Sequence, residues 1–232
     1  MKFTRVLFKI VPKNIKGKST NEQRWLKRQL NDRYVKQSKT DYYRCRSAYK
    51  LIEIDDKHRI LEPGFSVVDC GASPGSWSQV AVKKVNADGS IPNAKIGQVI
   101  GIDLKSIEKI KGATFFSCSD FTEAVVQQKV LKTLNCGKAD VVLSDMAPNS
   151  SGVRSLDHEN IMVLCESVVK FSINVLNDGG HFLVKILQGE KQDLLLRGLK
   201  TCFEQVKYIK PPASRSDSTE LYIIAKNFNK AS

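Results

Sequence analysis

The stretch SVVDCGASPGSW, residues 66–77, decides the fold. It opens with a short apolar run that predicts a buried strand, passes through a glycine-rich turn and continues into a helical pattern over residues 76–86. In open α/β sheets, ligands bind beyond the carboxyl ends of the strands, next to such a turn and the helix that follows it. The segment therefore predicts both a fold class and the place of a site.

The rest of the chain repeats this alternation of strand and helix. Residues 205–210 and 220–226 predict two late strands with no room for a helix between them, so they are expected to pair as a hairpin. Such alternation predicts one α/β domain with a mostly parallel sheet. Ser47 is expected to cap the first helix, and Asn177 to Gly180 to form the turn that ends a later one. The other strands are predicted at residues 96–104, 113–118, 139–145 and 181–186, and the other helices at 47–60, 121–134, 158–176 and 190–203.

The glycine turn fits none of three familiar kinds of site. A dinucleotide site needs G-x-G-x-x-G and a P-loop needs G-x-x-x-x-G-K-[ST], and residues 69–77 match neither pattern. The segment from Gly71 to Gly75 does match the G-x-S-x-G of hydrolases. In that motif the residue after the serine donates its backbone N–H to the oxyanion hole, and Pro74 has no N–H to donate. A nucleoside-bearing cofactor without a pyrophosphate remains.

Acidic residues follow three successive predicted strands. Asp103 ends the second strand, Asp120 lies just past the third, and Asp145 ends the fourth. A carboxylate after the second strand can accept hydrogen bonds from ribose hydroxyls, and one after the third can meet an adenine amino group. Each acid alone is ordinary at the end of a strand. Together with the glycine turn, the three acids form the layout expected for S-adenosyl-L-methionine.

Lys185 stands out without any reference to these motifs. It lies inside the apolar run HFLVKIL, where burying a lysine is costly unless it has a partner or a function. Lys50 and Glu220 do not stand out in this way. Taken alone, Lys50 is typical of a helix surface and Glu220 of the start of a strand.

Four motifs in this order resemble the FtsJ-like ribose 2′-O-methyltransferases: DCGASPGSWSQV, LSDMAPNSSG, FLVKILQG and SRSDSTELYIIA. RCRSAYKL, residues 44–51, matches the first helix of that family, and the resemblance spans about residues 41–226. It implies a Rossmann-like, seven-stranded methyltransferase fold that depends on S-adenosylmethionine. In this fold the sheet is mostly parallel with one antiparallel strand, and helices cover both faces.

The resemblance also implies the residues of the site. By motif, the catalytic set is Lys50, Asp145, Lys185 and Glu220, with Lys185 as the general base. A lysine is a weak base at its reference pKa of about 10.4, and a nearby positive charge and partial burial both lower such a value. The implied contacts of S-adenosyl-L-methionine are Pro74, Gly75, Ser76, Trp77, Asp103, Asp120 and Asp145.

Two positions bear on how closely the chain follows the family. Ser76 stands where family members often have glycine, which is a mild departure. Asn149 occupies the position of the aromatic residue in the D-P-P-Y signature of amino-group methyltransferases, which favours ribose over base chemistry.

Within the family the substrates differ: large-subunit rRNA, the tRNA anticodon loop, or nucleolar pre-rRNA. A compact body and a presequence-like start most resemble the mitochondrial members. That implies a uridine of mitochondrial large-subunit rRNA as substrate, presented in a pre-assembled ribosomal particle, and a role in ribosome assembly. The alternatives are a tRNA ribose methyltransferase and a largely non-catalytic rRNA-binding assembly factor.

The positive charge of the chain is concentrated at its N-terminus. Residues 1–50 hold 15 Lys or Arg and 3 Asp or Glu, which gives them +12 of the net charge of +13. Residues 1–20 contain no acid and interleave basic with apolar residues, which predicts a mitochondrial presequence and a matrix location. An RNA-binding arm or basic tail is the alternative. Residues 21–46 form a basic segment suited to nucleic acid, and residues 47–232 the methyltransferase domain.

Cysteines, histidines and apolar runs point to no further chemistry. The six cysteines show no C-x-x-C spacing and are interpreted as reduced thiols. The three histidines show no ligand spacing, so no metal site is predicted. No apolar run approaches the roughly 18 residues of a membrane span.

Overall fold

The computed structural model describes residues 16–148 and 151–229, which contain a seven-stranded sheet. Most of the predicted presequence, and also Asn149, lie outside the described residues. The strand order is β3-β2-β1-β4-β5-β7-β6. The strands are β1 (Ser66–Cys70), β2 (Gln98–Asp103), β3 (Ala113–Ser117), β4 (Ala139–Ser144), β5 (Leu176–Leu187), β6 (Phe203–Ile209) and β7 (Glu220–Phe228).

One strand runs against the others. Strands β1 to β5 pair in parallel, and β7 pairs antiparallel with both β5 and β6. The predicted mostly parallel sheet with one antiparallel strand is confirmed. The predicted pairing of the two late strands is also confirmed, although β7 inserts between β5 and β6 rather than extending the edge.

Helices cover both faces of the sheet, as predicted. Helices α3 and α4 pack on one face, and α5, α6 and α7 on the other. Successive side chains of a strand point to opposite faces of the sheet. In β4, Val142 packs with the layer of α5, α6 and α7, while Val141 and Leu143 pack with the layer of α3 and α4. The helices are α1 (Thr20–Asn31), α2 (Arg33–Thr40), α3 (Ala48–His58), α4 (Ser76–Lys84), α5 (Ala124–Thr133), α6 (Arg154–Val175) and α7 (Gln192–Leu199), with a 3₁₀ turn at Asn135–Gly137.

Three local features differ from the sequence prediction. Ser47 precedes α3 as predicted, but its side chain makes no capping bond to the helix. The segment predicted as a turn after α6 belongs to β5, which begins at Leu176 and shifts register against β4 between Ala139 and Val141. Helices α1 and α2 were not predicted, although Ser19 and Glu22 form a complete capping box at the start of α1.

Membrane-spanning helices, metal sites and disulfides are not found among the described residues. Within residues 16–148 and 151–229, no helix is long and apolar enough to cross a membrane, and no cluster of acidic, histidine or cysteine side chains has the arrangement of a metal site. All six cysteines are free thiols.

Asp55 fixes the end of α3, the helix that carries Lys50. Its Oδ1 accepts the backbone N–H groups of Ile60 and Leu61 at 3.0 and 2.9 Å, and its Oδ2 pairs with Lys84 at 2.8 Å. Asp55 is buried, so Asp55→Ala leaves two buried donors without an acceptor. We expect this change to lower the free energy of unfolding by about 3 kcal/mol in denaturant titrations.

Asp56→Ala is the matched control for this prediction. Asp56 also pairs with Lys84, at 2.9 Å, but its side chain is 63% exposed, so its loss should cost no more than about 0.5 kcal/mol. Equal losses for the two variants would contradict this account of the helix end.

Candidate active site

The carboxyl ends of the parallel strands meet a cavity of about 610 Å³. The turn after β1 contributes Gly71 and Ser73 to its wall, and helix α6 contributes Asn160, Val163 and Leu164. The other strands contribute residues at or just past their carboxyl ends: Ile102 to Lys105 at the end of β2, Ser119 to Thr122 after β3, and Asp145 to Pro148 after β4. The cavity therefore lies where the glycine turn and the three acids predicted a ligand.

Asp103 is the last residue of β2 and Asp120 follows β3, and both line this cavity. Asp103 holds the turn, because its Oδ2 accepts from the backbone N–H of Ser73 at 2.9 Å and its Oδ1 from that of Lys105 at 2.8 Å. Each carboxylate oxygen has a second lone pair, so Asp103 can still accept ligand hydroxyls. Among the described residues, the Asp120 carboxylate accepts hydrogen bonds only through Oδ1, from the backbone N–H and the hydroxyl of Thr122.

The predicted contact segment Pro74 to Trp77 is not among the described residues that line the cavity. It packs instead against the chain that leads into α3. The Pro74 carbonyl accepts from Arg44 at 2.7 Å, and the Trp77 indole donates to the Ser47 carbonyl at 2.9 Å. Helix α4 begins at Ser76, and Ser76 and Trp77 are buried whereas Pro74 is exposed. In the turn, Gly71 and Ser73 are the residues that face the cavity.

Lys185 and Asp145 form a close pair at the inner end of the cavity. The Lys185 ammonium lies 3.1 Å from Asp145 Oδ1 and donates to the Asp145 backbone carbonyl at 2.5 Å. Lys185 comes from β5 and Asp145 from the end of the adjacent β4. Asp145 also lines the cavity, so it faces the cavity and the lysine at once.

Lys50 and Glu220 form a second pair beside the first. The Lys50 ammonium lies 2.7 Å from Glu220 Oε2, and both side chains are largely buried. Tyr222 joins the two pairs, because its hydroxyl donates to Asp145 Oδ1 at 2.8 Å and the Lys50 ammonium lies 5.7 Å from its ring centre. The structure thus brings together all four residues of the predicted catalytic set.

The charges of this cluster control the ionisation of Asp145. Burial alone would raise the pKa of Asp145, but the positive charges of Lys185 and Lys50 and the hydrogen bonds from Tyr222 and Lys185 outweigh it. The pKa of Asp145 therefore lies below its usual value, and the carboxylate is ionised at neutral pH. Burial, followed by the charges of Asp145 and Glu220, raises the pKa of Tyr222 well above 10.0, which keeps its hydroxyl a donor.

Tyr222, Ser47 and Asp69 belong to the site but were not identified as site residues in the sequence. The Ser47 hydroxyl donates to Asp145 Oδ2 at 2.9 Å, so both carboxylate oxygens of Asp145 are held. Asp69 lies one residue before the end of β1 and is fully buried next to the same cluster. Like Asp103 and Asp145, it is an acid near the carboxyl end of an apolar strand, and this was the available signal. Nothing in the local sequence connects Ser47 with Asp145, which lies 98 residues further on.

Asp69 predicts a pH dependence of stability. Burial raises the pKa of Asp69 to about 7, against an opposing hydrogen bond from the Ser78 hydroxyl, whereas the same carboxyl in an unfolded chain titrates near 3.8. The folded state binds this proton more tightly than the unfolded state does. The stability contributed by the protonated carboxyl is therefore lost as the pH rises from about 4 to about 7.

Asp69→Asn removes this titration. We expect the variant to gain stability relative to wild type, with a gain about 2–3 kcal/mol larger at pH 8 than at pH 5. Denaturant unfolding of both proteins at the two pH values measures this difference, and other titrating groups cancel in the comparison. The same difference at both pH values would show that Asp69 does not titrate in this range.

The topology and the cavity together define a class of protein. A seven-stranded sheet whose last strand inserts antiparallel beside β5, with acids after successive strands facing one cavity, is the arrangement of the Rossmann-like methyltransferases. The sequence profile of the FtsJ-like methyltransferases matches residues 43–228. The chain belongs to this family and is a methyltransferase, which confirms the resemblance found in the motifs.

Individual relatives agree with this assignment. The chain is 46% identical over 220 residues to "rRNA methyltransferase 2, mitochondrial" of Drosophila melanogaster, across 95% of this chain and 88% of that protein. It is 45% identical to "Ribosomal RNA large subunit methyltransferase E" of Ruegeria pomeroyi, across 95% of this chain and 94% of that protein. A crystal structure from Plasmodium falciparum, described as that of a ribosomal RNA methyltransferase, matches with a TM-score of 0.70 and 33% identity, across 80% of this chain and 98% of that one.

Proposed function

We propose that this chain transfers the methyl group of S-adenosyl-L-methionine to the ribose 2′-hydroxyl of a uridine in mitochondrial large-subunit rRNA. The observation that carries the proposal is the position of Lys185, a buried lysine whose partner Asp145 also lines the cavity. This arrangement suits a reaction in which a hydroxyl next to the cavity must lose a proton. The printed names of the relatives from Drosophila and Ruegeria support rRNA of the large subunit as the substrate.

The cavity fits the proposed cofactor. Its volume of about 610 Å³ lies within the range of small-molecule sites, roughly 300–1,000 Å³. Asp103 would hold the ribose hydroxyls, Asp120 the adenine amino group, and Asp145 the end of the molecule nearest Lys185. S-adenosylmethionine, when bound, supplies an electrophilic methyl group attached to a sulfonium. For Pro74 to Trp77 we propose the contact with the cofactor that the family motif implies, next to Gly71 and Ser73 of the same turn.

Lys185 is proposed to take the proton of the 2′-hydroxyl. A neutral lysine has two N–H bonds and one lone pair, and Asp145 offers two acceptors to Lys185 Nζ, its backbone carbonyl and Oδ1. With both N–H bonds directed at Asp145, the lone pair remains for the hydroxyl proton. As the new carbon–oxygen bond forms and the carbon–sulfur bond breaks, the proton passes to Lys185, and Asp145 stabilises the ammonium that results.

Lys50 and Glu220 are proposed to hold the ribose opposite Lys185 and to balance the charge of the site. With all four groups ionised, the cluster carries two positive and two negative charges. When Lys185 is neutral the cluster has a net charge of −1, which a bound sulfonium cation would offset. This predicts that the reactive form of the site is favoured when the cofactor is present.

Substrate presentation and location complete the proposal. The mitochondrial relative supports a mitochondrial location, and for residues 1–20 we propose a presequence that directs the chain to the matrix. Residues 21–46, which contain α1 and α2, are proposed as a basic segment that contacts rRNA, and residues 47–232 as the methyltransferase domain. A pre-assembled ribosomal particle is proposed as the true substrate.

A transfer assay with three RNA substrates tests this function. The full-length chain and labelled S-adenosylmethionine are incubated with large ribosomal subunits from cells that lack the protein, with naked large-subunit rRNA and with total tRNA. Nuclease digestion then shows whether the label lies on a ribose or a base. We expect a ribose label on the subunits. Label on tRNA would show that tRNA is a substrate. Efficient labelling of naked rRNA would show that a pre-assembled particle is not required.

A further inference from the structure

Ala213, in the loop between β6 and β7, is bound by side chains from outside that loop. Ala213 is fully buried, and side chains bind both of its backbone polar groups. Its N–H donates to Glu53 Oε2 at 2.6 Å, and its carbonyl accepts a hydrogen bond from the Arg46 guanidinium. Backbone groups are more often bound by other backbone groups. Glu53 and Arg46 therefore help to hold the loop at Ala213.

The next residue, Ser214, connects Ala213 to the catalytic set. The hydroxyl of Ser214, which is itself buried, donates to Glu220 Oε1 at 2.8 Å. The other oxygen of Glu220 binds the Lys50 ammonium at 2.7 Å. The orientation of Glu220 therefore depends on where Ala213 holds Ser214.

Helix α2 supplies the outer anchors of this chain of contacts. The Tyr34 hydroxyl donates to Glu53 Oε1 at 2.6 Å and accepts from Arg33 at 2.7 Å. Asp32 Oδ2 lies 2.6 Å from the Arg46 guanidinium and 3.5 Å from that of Arg215. Burial, and then the hydrogen bond to Glu53, raise the pKa of Tyr34 above its usual value, so its hydroxyl stays protonated. These anchors precede residue 43, where the match to the family begins.

We propose that Tyr34 is a positioning residue for methyl transfer, which acts through Glu53, Ala213 and Ser214 on the orientation of Glu220 toward Lys50. The inference rests on the proposed function. Helix α2, in the basic N-terminal segment, then has a second role besides contact with RNA. It helps to hold Glu220 and Lys50 in place.

Tyr34→Phe tests this role without removing packing. The ring of Tyr34 lies 5.4 Å from that of Tyr49, and phenylalanine keeps that contact while it loses the bond to Glu53. Tyr208→Phe is the matched control, because the Tyr208 hydroxyl donates to the carboxylate of Asp193 at 2.8 Å on helix α7. Both variants lose one tyrosine–carboxylate hydrogen bond, but only Tyr34→Phe loses one of the contacts that lead to Glu220.

Two measurements decide the matter with the full-length chain. The first is methyl transfer to large ribosomal subunits from cells that lack the protein, for which we expect kcat to fall about tenfold in Tyr34→Phe, with KM for S-adenosylmethionine unchanged. The second is amide hydrogen exchange of residues 213–216, which we expect to be about tenfold faster in Tyr34→Phe. Tyr208→Phe should match wild type in both.

Two substitutions of Glu53 test whether its contact with Ala213 is needed for methyl transfer. Glu53→Ala leaves the Ala213 N–H without its acceptor and should lower kcat at least as much as Tyr34→Phe. Glu53→Gln keeps an oxygen that can accept from Ala213 and should restore most of that loss.

The outcomes separate this inference from the proposed function. Wild-type kcat and wild-type exchange in Tyr34→Phe would overturn the inference, as would equal effects of Tyr34→Phe and Tyr208→Phe. A wild-type chain that places no label on ribose would overturn the proposed function instead. In that case hydrogen exchange still decides whether Tyr34 fixes the Ala213 loop.

Discussion

Lys185→Met is expected to lower kcat for methyl transfer by about a thousandfold while cofactor affinity stays within about threefold of wild type. Methionine keeps the apolar stem of a buried side chain on β5, so the strand and its neighbours should remain folded. The variant loses the group that accepts the 2′-hydroxyl proton. Single-turnover transfer to large ribosomal subunits measures the chemical step, and calorimetric titration with S-adenosylmethionine measures binding.

Lys226→Met is the control for this experiment. Lys226 is also a strand lysine that donates to a backbone carbonyl, that of His58 at 2.9 Å, but it is not part of the catalytic set. We expect its kcat to equal that of wild type. Near-normal methylation by Lys185→Met would show that another group accepts the proton.

Asp145→Asn is expected to impair both binding and chemistry, because Asp145 serves the cavity and the lysine together. An amide keeps the shape of the carboxyl, but its single oxygen can accept from only one of the donors Ser47 and Tyr222, which bind different oxygens of Asp145. It removes the negative charge, so Lys185 and Lys50 face each other with Glu220 as the remaining carboxylate of the set. We expect kcat to fall by about 10²- to 10³-fold and the Kd of S-adenosylmethionine to rise about tenfold, in the same two assays.

Asp140→Asn controls for the loss of a carboxylate from the same strand. Asp140 lies near the other end of β4, where it accepts from the Ser66 backbone and the Asn177 side chain at 2.8 and 2.9 Å. Its replacement should leave Kd and kcat of the folded protein unchanged. If Asp145→Asn bound cofactor as tightly as wild type, Asp145 would serve Lys185 alone and not the cofactor.

The parts of the fold and site that were predictable from the sequence depend on local patterns. Strand and helix periodicity gave the sheet, since each element buries one stripe or face over a few residues. The lysine in HFLVKIL was conspicuous because the side chains around it are apolar, and the structure does bury it beside an acid. Lys50 and Glu220 required the family motifs, because neither has an unusual neighbourhood in the sequence.

The parts that were not predictable depend on contacts between distant residues. Ser47 reaches Asp145 across 98 positions, and Glu53 reaches Ala213 across 160. The contact of Pro74 to Trp77 with the cofactor is implied by the family motif and stays a prediction. The structure shows Trp77 buried against Tyr222, with ring centres 5.8 Å apart, beneath the catalytic set. A motif identifies the turn, but only the packing around it shows which side chains face the cavity.

The most direct test of the account is a map of ribose methylation in mitochondrial large-subunit rRNA. The map compares cells that lack the protein with the same cells supplied with wild type or with Lys185→Met. The account predicts one uridine whose 2′-O-methyl group is lost without the protein, returns with wild type and does not return with Lys185→Met. An unchanged map in cells that lack the protein, or full restoration by Lys185→Met, would contradict it.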